Sequence, residues 1–369
     1  MQVIKKYGKL GFGFLRLPML EDGKTVDLET TKAMVDLFLG RGFRYFDTAY
    51  TYLNGDSERA LREALVKRYP RGSFLIADKL PCGMLRRGKT AEAIFQEQLE
   101  RCGVDRFDVY LLHGLDEEDA DYADSHGCFD FLQEMKTQGK VRYIGFSFHD
   151  TAAALDRILT KHPEVDVVQI QLNYLDWDNP IIQSGACYEV CRKHGKPIIV
   201  MEPVKGGTLA SIPGAAAALF DGEAPAHRAL RFAASQEGVA VVLSGMSTLE
   251  QMEENSDLLS NFTPLTEEET QVLKTAAAHI REAVVIPCTG CGYCLEGCPT
   301  GIPIPKYFSL YNERRRDGWQ VNTEGRYAAL TLTNPKANAC IDCGSCVQAC
   351  PQKLPIPEWM QNVSSAFDG

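Results

Sequence analysis

The sequence has no long apolar run. Its longest uncharged stretch, Gly206–Phe220, is broken by Pro213 and falls short of the ~18–20 apolar residues that cross a bilayer. The opening stretch, MQVIKKYGKLGF, has no apolar segment of the signal-peptide kind. The expectation is therefore a cytoplasmic chain with no membrane partner. There is no excess of positive charge either: 39 Lys and Arg stand against 49 Asp and Glu, for a net charge of −10. That argues against non-specific nucleic-acid binding, which needs a basic surface. Compositional bias is also missing. With 45% hydrophobic and 24% charged residues, whole-chain disorder, collagen and coiled coil are excluded.

What is abundant is cysteine. There are 13, and eight of them fall after residue 287. The cytosol keeps thiols reduced, so such a cluster reads as metal binding rather than a disulfide framework. Cys288, Cys291, Cys294 and Cys298 form one C-x2-C-x2-C-x3-C-P run, and Cys340, Cys343, Cys346 and Cys350 form a second. Three thiolates on a tight loop each hold one iron of a cubane, and the fourth cysteine serves the other cluster. Gly290, Gly292 and Gly344 permit the sharp turns. The spacing predicts one [4Fe-4S] cluster on Cys288, Cys291, Cys294 and Cys350, and a second on Cys340, Cys343, Cys346 and Cys298. The alternative, a pair of zinc sites, normally uses paired C-x2-C motifs instead. The two runs resemble a dicluster ferredoxin module. The 41 residues between them contain helical patterns over Lys306–Arg316 and Gly325–Leu332, which resembles the helical ferredoxin variant.

The chain has 369 residues. A barrel of ~250 residues would leave a tail of about 100. Over residues 1–260, short β-branched runs such as Phe74–Ala77, Val109–Leu112, Val167–Ile170, Ile198–Met201 and Val239–Leu243 alternate with amphipathic stretches. That rhythm implies βαβ units, and eight of them favour a closed α/β (β/α)8 TIM barrel over an open sheet. Thr266–Glu282 opens like a capping box and reads as a helix leading off the barrel. The expected domains are a barrel over 1–265, a helical linker over 266–287 and a small, mainly helical two-cluster domain over 288–369.

Chemistry in such a barrel sits at the C-terminal ends of the strands. There the sequence places Asp47, Lys79 and His113 on consecutive strands, with Tyr52 just downstream of Asp47. These residues, with the segments FDTAYTY, YLLH, GFSFHD, QIQLNY, MEPVKGG and SGMSTLEQMEEN in that order, make the chain resemble an aldo/keto reductase of the group fused to a C-terminal ferredoxin module. The resemblance covers essentially the whole chain. It implies a catalytic tetrad of Asp47, Tyr52, Lys79 and His113. Tyr52 would protonate a carbonyl oxygen as hydride reaches its carbon. Lys79 would lower the ~10 pKa of a free tyrosine, Asp47 would hold Lys79, and His113 would orient the carbonyl. By the same resemblance, Ser147 and Gln169 bind a nicotinamide carboxamide, Gly206 and Gly207 line a pyrophosphate path, and Ser244, Gly245, Glu254 and Asn255 meet the adenosine half.

Three departures from the family pattern bear on the cofactor. The position of the aromatic under the nicotinamide falls near Met201-Glu202. The Ser-Asn pair after strand five is Ser147-Phe148. The basic pair for a 2′-phosphate is missing, since the segment reads Ser244-Gly245-Met246-Ser247 and a later arginine position is Gln251. Without Arg or Lys, little offsets burial of a phosphate dianion, so the sequence gives no support for NADPH preference. NAD, a flavin and no dissociable organic cofactor stay open. Arg16 is open between an anionic-substrate contact and a barrel-bottom salt bridge. Cys102, Cys187 and Cys191 read as core packing, and Cys82 is open between core and active site.

Clusters pass single electrons whereas nicotinamide passes a hydride. The leading expectation is an iron–sulfur oxidoreductase reducing a carbonyl or related unsaturated small molecule, with electrons from NAD(P)H, through the two clusters from a ferredoxin or other redox protein, or both. The alternative is an electron carrier or redox sensor with a non-catalytic barrel, for which Tyr52 and Lys79 together would be superfluous.

Overall fold

The computed structural model describes residue 4, residues 6–317 and residues 322–368. Met1–Val3 and Lys5 of the opening stretch lie outside the described residues, as does the side chain of Arg316 at the end of one expected helix. The chain forms two compact units. One comprises Met1–Pro203 and His227–Thr266, the other Val204–Ala226 and Glu267–Gly369. The expected linker helix thus falls in the second unit, as does an excursion that follows the seventh strand.

The first unit is a closed parallel barrel whose eight strands pair in chain order, the eighth closing on the first. The strands are β1 (Leu10–Gly13), β2 (Tyr45–Asp47), β3 (Leu75–Leu80), β4 (Phe107–Leu115), β5 (Val141–Phe148), β6 (Val167–Gln171), β7 (Ile198–Met201) and β8 (Val239–Ser244). Between them run α1 (Leu28–Gly40), α2 (Asp56–Leu61), α3 (Ala91–Cys102), α4 (Cys128–Thr137), α5 (Ala152–Lys161), α6 (Ser184–Lys193) and α7 (Pro225–Ser235), and α8 (Leu249–Ser260) follows β8. An additional helix, Glu117–Ser125, precedes α4. This is a (β/α)8 TIM barrel.

The physics of each element is local. Asp27, Thr90, Thr151 and Thr248 each accept from the backbone N–H three residues on, capping α1, α3, α5 and α8. Each such cap is worth about 1 kcal/mol. Apart from a few positions on β4, β5 and β7, the strands are buried on both faces, as a parallel sheet covered by helices requires. Tyr45, Leu75, Ala77, Val109, Leu111, Val167, Ile199 and Val241 fill the barrel interior. Side chains alternate along a strand. On β3, therefore, Lys79 shares the inner face with Leu75 and Ala77, while Asp78 faces the helix layer. At Gly145 the neighbouring backbone approaches so closely that a Cβ would lie 2.0 Å from the Val167 carbonyl oxygen.

The second unit is mainly helical. It contains α9 (Glu267–Ala283), α10 (Ile304–Asp317), α11 (Thr323–Thr331) and α12 (Ile356–Phe367). Ile286, Ile302, Tyr307, Phe308, Tyr327 and Met360 are among its core. The two cysteine runs fold alike. Residues 290 and 342, 292 and 344, and 301 and 353, which hold matching positions, all have positive φ. Each run turns sharply at a glycine into a short helical segment, Tyr293–Glu296 or Ser345–Gln348. Among the described residues, no helix is long and apolar enough to cross a membrane.

Candidate active site

The ends of β2, β3 and β4 bring Asp47, Tyr52, Lys79 and His113 together. Lys79 is wholly buried. Its Nζ donates to Asp47 Oδ1 at 2.6 Å and to the Thr48 carbonyl at 2.7 Å. The same ammonium lies 4.8 Å from the centre of the Tyr52 ring. Tyr52 and His113 meet edge to face, with ring centres 5.6 Å apart. Tyr52 is set by a turn in which Leu53, Asn54 and Gly55 all have positive φ. Non-glycine residues held there cost of order 1 kcal/mol each and persist where the surroundings enforce them. Behind the turn, Thr48 Oγ1 meets Ser57 Oγ at 2.7 Å, and Ser57 Oγ donates to the Phe14 carbonyl.

The electrostatics follow from burial. Desolvation raises the Asp47 pKa, and the Lys79 ammonium opposes it. Asp47 Oδ2 is buried with no hydrogen-bond partner. Burial, helped by Lys79 and His149, holds the His113 imidazole well below its ordinary value, so it is a neutral hydrogen-bonding group at neutral pH.

On β5, Ser147 Oγ accepts from the Gly114 N–H at 2.7 Å, which leaves its own hydrogen to give. On β6, Gln169 Nε2 donates to Met201 Sδ at 3.5 Å, while Gln169 Oε1 is buried and unpartnered. At the end of β8, Asn255 Nδ2 donates to Ser244 Oγ at 3.2 Å. Gly245 and Glu254 are exposed. Arg16, just past β1, packs beside Gly245, and its Nη2 lies 3.9 Å from Glu202 Oε1. Arg16 therefore sits at the C-terminal end of the strands, not at the barrel bottom. Gly206 and Gly207 fall in the second unit. A Cβ on Gly206 would lie 2.0 Å from the Thr289 carbonyl oxygen, while Gly207 has open space.

The eight late cysteines line two cavities. One, of about 320 Å³, carries Cys288, Cys291, Cys294 and Cys350, with Phe308 and Gln352 in its wall. The other, of about 340 Å³, carries Cys298, Cys340, Cys343 and Cys346 among mostly apolar side chains. Cys82 is buried in the core beside Cys128. Cys187 and Cys191 are buried.

Residues 9–214 match the aldo/keto reductase family. The chain belongs to the aldo/keto reductase family. Residues 287–354 of this aldo/keto reductase match a 4Fe-4S dicluster domain, so the chain is an oxidoreductase of the family joined to such a domain. An aldo-keto reductase of Mycolicibacterium vanbaalenii is 30% identical over 243 residues, covering 64% of this chain and 80% of that one. The L-galactose dehydrogenase of Arabidopsis thaliana is 27% identical over 242 residues, covering 58% and 73%. Among solved structures, an aldo-keto reductase from Bacillus halodurans in its holo form matches with a TM-score of 0.58 at 22% identity, covering 73% of this chain and 91% of that one. One from Klebsiella pneumoniae, in complex with NADPH, matches with a TM-score of 0.57 at 18% identity, covering 72% and 90%. These likenesses show the barrel fold.

Sequence reasoning missed a buried polar network behind the tetrad of this aldo/keto reductase. Glu58, Asp78 and Cys102 place ligand atoms within 4.8 Å of one another, all buried. Asp78 Oδ1 accepts from the Lys79 N–H and from Gln98 Nε2. Arg101 Nη1 pairs with Glu58 Oε2 at 2.9 Å. Burial, then Glu58, pushes the Asp78 carboxyl well above its ordinary value. The only available signal was Asp78 itself, a charge within a strand next to Lys79. Its partners come from two different helices, a pairing that no local pattern encodes.

Proposed function

We propose that this aldo/keto reductase reduces a carbonyl or related unsaturated small molecule with Tyr52 as proton donor. Electrons would come from NAD(P)H, through two [4Fe-4S] clusters charged by a redox protein, or by both routes. The observation that carries this reading is the tetrad: a buried Asp47–Lys79 pair at 2.6 Å with its ammonium 4.8 Å from the Tyr52 ring, and His113 edge to face with Tyr52. An electron carrier has no use for a buried cation held beside a phenol.

The residues present fit a nicotinamide carboxamide. Gln169 Oε1 is a buried acceptor without a partner, suited to an amide NH2, and Ser147 has its hydroxyl hydrogen to give to the amide oxygen. They fit a 2′-phosphate less well, because the segment after β8 carries no Arg or Lys. A bound nicotinamide would supply hydride. Ser147 and Gln169 would orient the ring, with the Met201 thioether as its wall. Ser244, Gly245, Glu254 and Asn255 would meet the adenosine half. Gly206 is better accounted for by its packing on Thr289.

At the reacting centre the carbonyl oxygen sits between Tyr52 and His113. Neutral His113 donates a hydrogen bond that orients it. Tyr52 Oη gives its proton to that oxygen as the carbon is reduced, and the Lys79 ammonium stabilises the phenolate left behind. Asp47 and the Thr48 carbonyl hold Lys79 in place. In the second unit, each cavity offers four thiols in an otherwise largely apolar wall, the donor set of a [4Fe-4S] cluster rather than of paired zinc motifs. Cys288, Cys291, Cys294 and Cys350 would hold one, and Cys298, Cys340, Cys343 and Cys346 the other. Clusters supply single electrons.

The test is anaerobic reduction of an aldehyde and ketone panel by the iron-loaded chain, with NADH, NADPH or a reduced ferredoxin as donor. Product formation with at least one donor is expected. No product with any of the three, from protein with both clusters present, refutes the reductase reading and favours the carrier.

A further inference from the structure

Lys205 lies four positions beyond the end of β7 and belongs to the same compact unit as the eight late cysteines. A loop lysine is normally solvated. This one is 2% exposed, and its Nζ donates to Gln352 Oε1 at 3.2 Å. Its backbone has φ +46. The next residue, Gly206, is pressed on the Thr289 carbonyl. One turn is thus locked onto both cysteine segments, that of Cys288 and that of Cys350.

Gln352 lines the cavity shared by Cys288, Cys291, Cys294 and Cys350 and is 6% exposed. An amide carries one acceptor oxygen and two donor hydrogens. The oxygen is taken by Lys205, and among the described residues nothing accepts from the NH2. A buried amide whose donors remain unspent at a cavity wall points to an acceptor inside the cavity. The other cavity has no amide and no cation in its lining. Besides its cysteines only Thr300 is polar there, and its hydroxyl is spent on Cys298 Sγ at 3.4 Å.

We propose that Lys205 and Gln352 set the reduction potential of the cluster held by Cys288, Cys291, Cys294 and Cys350. The inference rests on the cluster reading above. Gln352 donates N–H to a sulfur of that cluster. Lys205 is a positioning residue that fixes the amide by occupying its oxygen, and it adds positive charge behind it. One electron enters the cluster on reduction and no bond is made or broken, so the site becomes more negative by one charge. Hydrogen bonds to sulfur and a cation in a low-dielectric wall both favour that state. The pair therefore raises this potential and leaves the other cluster untouched.

The test is a redox titration of the full-length, iron-loaded chain followed by electron paramagnetic resonance, with iron and sulfide measured. The unaltered chain is compared with Lys205→Met, Lys205→Arg and Gln352→Leu. Lys205→Met and Gln352→Leu should each lower the reduced-to-oxidised ratio of one cluster by about tenfold at fixed potential, equivalent to about 59 mV for a one-electron couple. The other cluster should not move, and Lys205→Arg should keep the original value. If Lys205→Met loses its iron, Gln352→Leu decides by the same criterion. Unmoved potentials in protein with about eight iron atoms per chain overturn the inference and leave the cluster reading standing. An unaltered chain that assembles no clusters overturns both.

Discussion

Removing the Lys79 ammonium exposes how the tetrad is held. Lys79 is wholly buried, and its Nζ donates to Asp47 Oδ1 at 2.6 Å and the Thr48 carbonyl at 2.7 Å. Lys79→Met keeps most of the volume but strands a buried carboxylate whose second oxygen already has no partner. Breaking such a pair from one side costs about 3–5 kcal/mol. Asp47→Asn together with Lys79→Met removes both charges. The double variant should therefore be no less stable than Lys79→Met alone, with a coupling of about 1–3 kcal/mol. Acidity provides a second handle. Burial already raises the Asp47 pKa against the pull of Lys79. Without Lys79 that carboxyl takes up a proton more readily, so the penalty of Lys79→Met should shrink as pH falls from 7 to 5. The assay is urea unfolding read by hydrogen exchange of peptides covering β2 and β3, which reports on the barrel alone. Additive single effects together with a penalty that ignores pH would refute the claim that the two charges are one unit.

Other expectations concern the surroundings of the tetrad and the cysteine region. Asp78 is pushed well above its ordinary value by burial and Glu58. The native state therefore holds a proton that the unfolded chain gives up, and stability falls as pH rises from the ordinary carboxylate range toward the raised value. Asp78→Asn should flatten that slope in a series of melts across pH; an unchanged slope would show that Asp78 does not carry it. His113 is shifted the other way, so the unfolded state binds more protons below about pH 6.5. Stability should fall on acidification, and His113→Gln should reduce that loss in the same series. Gly206→Ala would drive a Cβ to within 2.0 Å of the Thr289 carbonyl oxygen. Iron retention should drop, measured against chelator, while a nicotinamide, if bound, should keep its affinity within about twofold, well under the ~1.4 kcal/mol of a tenfold change.

The barrel was legible because most of its strands contain short apolar runs and four of its helices begin at Thr or Asp caps. Glu117–Ser125 was not, because EEDADYADS offers only Ala120 and Ala123 as a buried face. Helix α12 was not either, since two prolines, Pro355 at its cap and Pro357 in its first turn, mask its start. Asp47, Lys79 and His113 stood out as ionisable groups closing apolar strands. Asp78 did not, because the alternation that turns Lys79 inward turns Asp78 toward Glu58 on α2 and Gln98 on α3. The cysteine runs were legible as local patterns, and the exchange of fourth cysteines between the two cavities followed from their spacing. Lys205 was hidden in a glycine-rich turn, because its partner Gln352 is 147 residues away.

The most direct test is turnover of Tyr52→Phe against the unaltered chain, both carrying full iron and sulfide, on a substrate the unaltered chain reduces. A positioned proton donor contributes about 10²–10⁴-fold, and one that acts only in the transition state lowers kcat while leaving KM near its original value. The account predicts that loss in kcat, with cluster spectra unchanged. Tyr52→Phe turning over at the original rate would contradict it.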